Sequence, residues 1–76
     1  MKRKAIGRNN YGKIYSIKRK KVDGIAYNLI EESDALGDAI YRIERSVFNG
    51  WHEAVGKTYK SIESALKAFD VAEYFN

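Results

Sequence analysis

Residues 12–32 read GKIYSIKRKKVDGIAYNLIEE, two β-rich runs joined by Asp23-Gly24. An Asp-Gly pair between such runs predicts a two-residue hairpin, because both central residues of a type I′ turn need positive φ. Pairing outward from the turn sets Val22 opposite Ile25, Lys20 opposite Tyr27, Arg19 opposite Asn28 and Ile17 opposite Ile30. That register places apolar pairs at both ends and a basic stretch near the tip.

The basic stretch is Lys18-Arg19-Lys20-Lys21. Alternate side chains of a strand point to opposite faces, so both faces of the hairpin end are cationic. Unpaired ammonium groups are costly to bury under a helix. The hairpin is therefore expected to project beyond the core as a basic ribbon, with Tyr27 and Asn28 alongside. Such ribbons enter nucleic-acid grooves or track phosphates, and interleaved aromatics stack on exposed bases. The plainer reading is a solvated hairpin tip whose lysines deter edge pairing.

Upstream, residues 1–10 have no apolar period and end in Arg8-Asn9-Asn10, so they read as a basic tail ahead of one domain over 11–76. Residues 1–24 carry nine Lys/Arg (Lys2, Arg3, Lys4, Arg8, Lys13, Lys18, Arg19, Lys20, Lys21) against Asp23 alone, a balance of +8. Residues 25–76 carry five against nine Asp/Glu, a balance of −4. This asymmetry favours an oriented encounter with a polyanion or an acidic protein surface.

Downstream, residues 33–48 read SDALGDAIYRIERSVF. Leu36, Ile40, Ile43 and Val47 fall at helical spacing behind a capping Ser33, while Tyr41, Ile43, Arg45 and Val47 alternate as in a strand. Gly37 disfavours a helix interior, and Asn49-Gly50 is a second hairpin signal. The expectation is a strand from Ala39 to Phe48 paired with Trp51 to Val55. Ser61 then caps a C-terminal helix of about four turns, with Ile62, Ala65, Leu66, Phe69 and Ala72 or Glu73 along its apolar stripe and Ala68 and Phe75 widening it. Lys60, Ser64, Lys67, Asp70 and Glu73 are expected to face water. Together these predict an α+β fold, a four-stranded antiparallel meander with one C-terminal helix packed on one face, ββββα.

The chain has 76 residues, one His, no Cys and no Pro. Disulfides and thiolate metal sites are excluded, so folding rests on apolar packing or association, and a homodimer is compatible with the six tyrosines. His52 lies beside Trp51 and Glu53, neighbours that supply neither a nucleophile nor a second base at one point in space. Glu31, Glu32, Asp34 and Asp38 lack the ordered spacing of a calcium loop, and Gly7, Gly12, Gly24 and Gly37 form no phosphate-binding pattern. No enzymatic activity, metal or cofactor is expected. No apolar run approaches a bilayer span or a signal-peptide core, so membrane association is not expected and a cytoplasmic location is.

The stretch Gly56-Lys57-Thr58-Tyr59-Lys60-Ser61-Ile62-Glu63-Ser64-Ala65 resembles the strand-to-helix junction of AP2-type and integrase arm-type DNA-binding modules. In those a sheet is followed by an aromatic, a Ser/Thr cap, an acidic residue and Ala on the helix. Gly12-Lys13 before an early strand also looks like them, whereas the longer middle segment departs from them. Shortness, lysine richness and missing prolines are similar to small phage-encoded accessory proteins, including inhibitors of host defence of the anti-CRISPR type. The expected function is that of a non-enzymatic binding protein that uses the basic hairpin and the N-terminal tail to contact nucleic acid or a nucleoprotein, as the resemblance to DNA-binding modules also implies. The alternative is a small inhibitor or adaptor docking on a host protein complex.

Overall fold

The computed structural model describes residues 3–47 and 50–75. Five strands, β1 (Lys4–Asn9), β2 (Gly12–Val22), β3 (Ile25–Ser33), β4 (Ala39–Ser46) and β5 (His52–Tyr59), precede helix α1 (Ile62–Asp70) and a 3-10 turn, Ala72–Tyr74. They form one antiparallel sheet in the order β1-β2-β3-β4-β5. The α+β class and the meander agree with expectation, but the strands number five, not four. The added strand is β1, drawn from the stretch expected to be a tail. Its side chains carry no apolar alternation; its backbone pairs with β2, whose outer amides and carbonyls need partners. Asn9 closes the turn, its Oδ1 accepting from the Tyr11 N–H at 2.8 Å and its Nδ2 donating to the Ser33 carbonyl at 3.2 Å.

Asp23 and Gly24 adopt φ of 51° and 81°, as the type I′ turn requires. Val22–Ile25, Lys20–Tyr27 and Arg19–Asn28 pair as expected. Beyond Lys18 the register slips, and Ser16 rather than Ile17 sits opposite Ile30. Ile17 is the extra residue of a β-bulge, which resets the alternation of β2. Ile17 thereby joins Tyr27, Leu29, Tyr41, Ile43, Val55, Ala65 and Phe69 in the core under α1. Ile30, buried but outside that cluster, lies on the other face of the sheet, in one row with Ser16 and Arg42.

Residues 33–38 form no helix. The Asp34 carboxylate accepts from the Leu36 and Asp38 amides, both at 2.9 Å, and Gly37 takes the positive φ that closes the loop. The favoured strand follows as β4, which ends at Ser46, and β5 runs on to Tyr59 rather than Val55. The expected Asn49-Gly50 turn includes Asn49, which with Phe48 lies outside the described residues. Across the connection the Val47 N–H donates to the Trp51 carbonyl at 2.7 Å.

Ser61 caps α1 through its hydroxyl, which accepts from the Ser64 amide at 3.1 Å. Ala65, Ala68 and Phe69 are buried, with Ile62 and Leu66 packed at the margin, so the apolar stripe agrees with its periodicity. The helix stops at Asp70, shorter than four turns, and the 3-10 turn follows. A 3-10 turn advances three residues per turn, against 3.6 in an α-helix, and so shifts the phase of the stripe. Ala72 is buried in the core, and Glu73, expected to face water, turns toward β2. No helix among the described residues is long and apolar enough to cross a membrane.

Candidate nucleic-acid interface

Strand alternation divides the basic run of β2 into two sets, and the bulge at Ile17 puts Lys18 and Lys20, not Arg19 and Lys21, on the face that the buried Ile17 shares. Lys18 is registered with Leu29 and Lys20 with Tyr27, both core residues, so these two lysines lie on the helix side. Arg19 and Lys21 are registered with Asn28 and Ala26 and lie on the open face.

On the helix side the cations have partners. The Lys20 ammonium donates to Glu73 Oε1 at 2.6 Å and sits 5.1 Å from the centre of the Phe69 ring and 5.8 Å from that of Tyr27. Its apolar stem lies on the core while its charge is neutralised at the margin, which removes the cost that had argued for a projecting ribbon. The Lys20 hydrogen bond is the first cause holding the Glu73 carboxyl below its usual range. Lys18 Nζ lies 3.9 Å from Asp70 at the exposed end of α1. Tyr27, expected as a stacking aromatic beside the cations, is 3% exposed and belongs to the core.

Arg3 is also tied down. Its Nη1 donates to both Glu31 oxygens, at 2.7 and 2.9 Å, and its guanidinium stacks 4.1 Å from the Tyr15 ring centre. The Glu31 hydrogen bond raises the Arg3 pKa further above its already high value. Lys2 lies outside the described residues.

Among the described residues, Lys4, Arg8, Lys13, Arg19 and Lys21 form no salt bridge. Lys4 is registered with Ser16, which shares the open face with Arg19 and Lys21. Asn28 is half-buried between them, its Oδ1 accepting from the Ser16 hydroxyl. Arg8 and Lys13 stand directly opposite each other at the far end of the β1–β2 ladder. Like charges in that position repel, and two residues from Tyr15 the pair lies on the helix side of the sheet rather than on the open face. In the middle of the open face Arg42 bridges Glu32 at 2.7 Å and Glu44 at 2.9 Å, so the free positive charge is displaced toward β1 and β2.

The expected cations thus separate into a pinned set (Arg3, Lys18, Lys20) and an unpaired set (Lys4, Arg8, Lys13, Arg19, Lys21). What sequence reasoning missed is Glu73 as a partner and the exposure of Trp51, 73% accessible just before β5. The single tryptophan beside Asn49-Gly50 could have marked the latter; nothing local signals the former. His52 opens β5 opposite Ser46. Comparison with protein-family models, characterised proteins and solved structures finds no match to this chain.

Proposed function

We propose that this protein is a non-enzymatic nucleic-acid-binding domain that holds the phosphate backbone along the β1–β2 side of its open sheet face. The observation that carries the reading is the division of one basic run between the two faces of the sheet. Lys20 is neutralised by Glu73 on the helix side, whereas Arg19 and Lys21, with Lys4 nearby, are held unpaired on a rigid sheet. Unpaired cations on adjacent strands serve a polyanion, since phosphate contacts supply most of non-specific nucleic-acid affinity.

The test is the salt dependence of binding to single-stranded and duplex oligonucleotides, for the parent and for Arg19→Ala/Lys21→Ala. Binding that weakens steeply with salt, and less steeply in the variant, supports the reading; salt-insensitive binding, or none, overturns it.

The second reading, an inhibitor or adaptor bound to a host protein, draws on Leu36. It is 86% exposed on the loop that Asp34 orders, at the opposite end of β3 from the basic turn. Capture of one protein partner from lysate after nuclease treatment, lost in Leu36→Ser, favours that reading.

A further inference from the structure

We propose that the β1–β2 edge of the sheet enters the major groove of duplex DNA edge-on, so that the cations on its two faces meet the two phosphate backbones that wall the groove; the proposal rests on the polyanion reading above.

Helix α1 packs on β3, β4 and β5. Every residue of β1 from Lys4 to Arg8 is exposed, so neither face of this strand is covered. Between its cations β1 is thin: Ala5 lies on the helix side opposite Tyr15, Gly7 lies on the open face opposite Ile14, and open space surrounds Gly7. The register also shifts between Ala5 and Gly7, a bulge that breaks the outer row of amides and carbonyls. Such a bulge deters a second copy from adding a strand to the edge. Beyond Ser16, where the pairing with β1 ends, β2 itself forms the border of the sheet.

Cations flank this border on both faces. Arg8 and Lys13 stand on the helix side, and Lys4, Arg19 and Lys21 stand on the open face. All are exposed, and among the described residues none forms a salt bridge. Lys18 adds to the helix side, since it and Asp70 are 3.9 Å apart with both side chains more than half exposed. A polyanion lying flat on the sheet reaches one of these sets and leaves the other, with its opposed like charges, unused. Two walls of phosphate with a gap between them reach both.

The dimensions choose the gap. Sheets stack ~10 Å apart, the thickness one sheet takes up with its side chains, and neighbouring strands are ~4.8 Å apart. The major groove of B-DNA is ~12 Å wide and ~8.5 Å deep, enough for two strands, whereas the minor groove is ~6 Å wide. The major groove of duplex RNA is too narrow for side chains to read, and a single strand supplies only one backbone. Charge on both faces together with these widths selects duplex DNA.

Anisotropy titrations at several salt concentrations would compare the parent with Arg8→Gln/Lys13→Gln on the helix side and Arg19→Ala/Lys21→Ala on the open face. A control, Lys57→Gln/Lys60→Gln at the opposite edge, removes the same charge. On a mixed-sequence DNA duplex each of the first two should reduce the salt slope by about 1.8, and the control should leave it near parental. The parent should bind this duplex more tightly than duplex RNA or single-stranded DNA of equal length. Gly7→Tyr suits a strand and has room to fold, but it thickens the edge and should weaken duplex DNA binding more than single-strand binding. A parental slope in Arg8→Gln/Lys13→Gln beside a reduced one in Arg19→Ala/Lys21→Ala overturns insertion and leaves the open-face contacts standing. Equal slope losses in all three double variants, or equal affinity for the three nucleic acids, also overturn it. Absence of salt-sensitive binding to any of them overturns both readings.

Discussion

The Lys20 ammonium and the Glu73 carboxylate meet at 2.6 Å across the junction between β2 and the 3-10 turn, 53 residues apart in the chain. This contact fastens the C-terminal segment to the strand that carries the basic run. It also places Lys20 among the charges that hold the fold rather than those available to a ligand.

The clasp should be visible in stability and its pH dependence. Glu73 has its pKa lowered in the folded state, mainly by the hydrogen bond from Lys20. A carboxyl so shifted adds stability above its unfolded pKa of ~4.3, and that stability is lost as pH falls through the folded value. Glu73→Gln should therefore lower the Tm at neutral pH and narrow the gap to the parent on acidification below pH ~4. A gap that stays constant between pH 7 and pH 3 would show that the carboxylate charge contributes nothing.

Core truncations should rank by burial. Phe69 is fully buried between α1 and the sheet, whereas Leu66 is only packed at the margin. Phe69→Ala should cost about 3–5 kcal/mol, comparable with the entire stability of a domain this small, and Leu66→Ala distinctly less. Urea unfolding measures both, and a Leu66→Ala loss as large as that of Phe69→Ala would contradict the packing.

Gly56 is required twice over. Its φ of +72° lies in the left-handed region, and a Cβ there would come within 3.2 Å of the Phe75 ring. Gly56→Ala should destabilise by about 1–2 kcal/mol from the backbone alone, more if Phe75 cannot move. Gly7→Ala is the control, since open space surrounds that position and its φ is not positive. Equal thermal midpoints for the two variants would refute the assignment.

The two halves of the basic run should behave differently in binding. Arg19→Ala/Lys21→Ala should keep the parent Tm and reduce the salt slope by about 1.8 on duplex or about 1.4 on single strands. Lys20→Met keeps the apolar stem and should do the reverse, lowering Tm with a near-parental slope. An equal loss of slope per charge from both variants would mean that binding reads net charge rather than the face on which a cation lies.

Much of the architecture can be read in short stretches. Asp23-Gly24 specifies its own turn, and with it the pairing of Arg19 with Asn28 and of Lys20 with Tyr27, because positive φ is a property of those two residues. Ser61 and the spacing of Ala65, Ala68 and Phe69 specify α1 within two turns. β1 was not legible, since Lys4-Ala5-Ile6-Gly7-Arg8-Asn9 has no periodicity and is held by backbone pairing. Of the candidate interface, the cationic composition and its alternation between two faces were legible, but which set faces α1 was not.

Which set faces α1 depends on Ile17. Local alternation assigns each residue of a strand to a face only while the register is unbroken, and the run KRKK reads the same with or without a bulge upstream. The decision belongs to the core: Ile17 is buried beside Leu29 and Phe69, and accommodating it slips β2 by one residue against β3. From the sequence alone come the turn, the cap, the helical stripe and the excess of positive charge, each set by chemistry within a few neighbours. Only the tertiary structure turns Lys20 toward Glu73 and leaves Arg19 and Lys21 on the open face, because burial compares positions tens of residues apart and one inserted residue reverses every side chain beyond it.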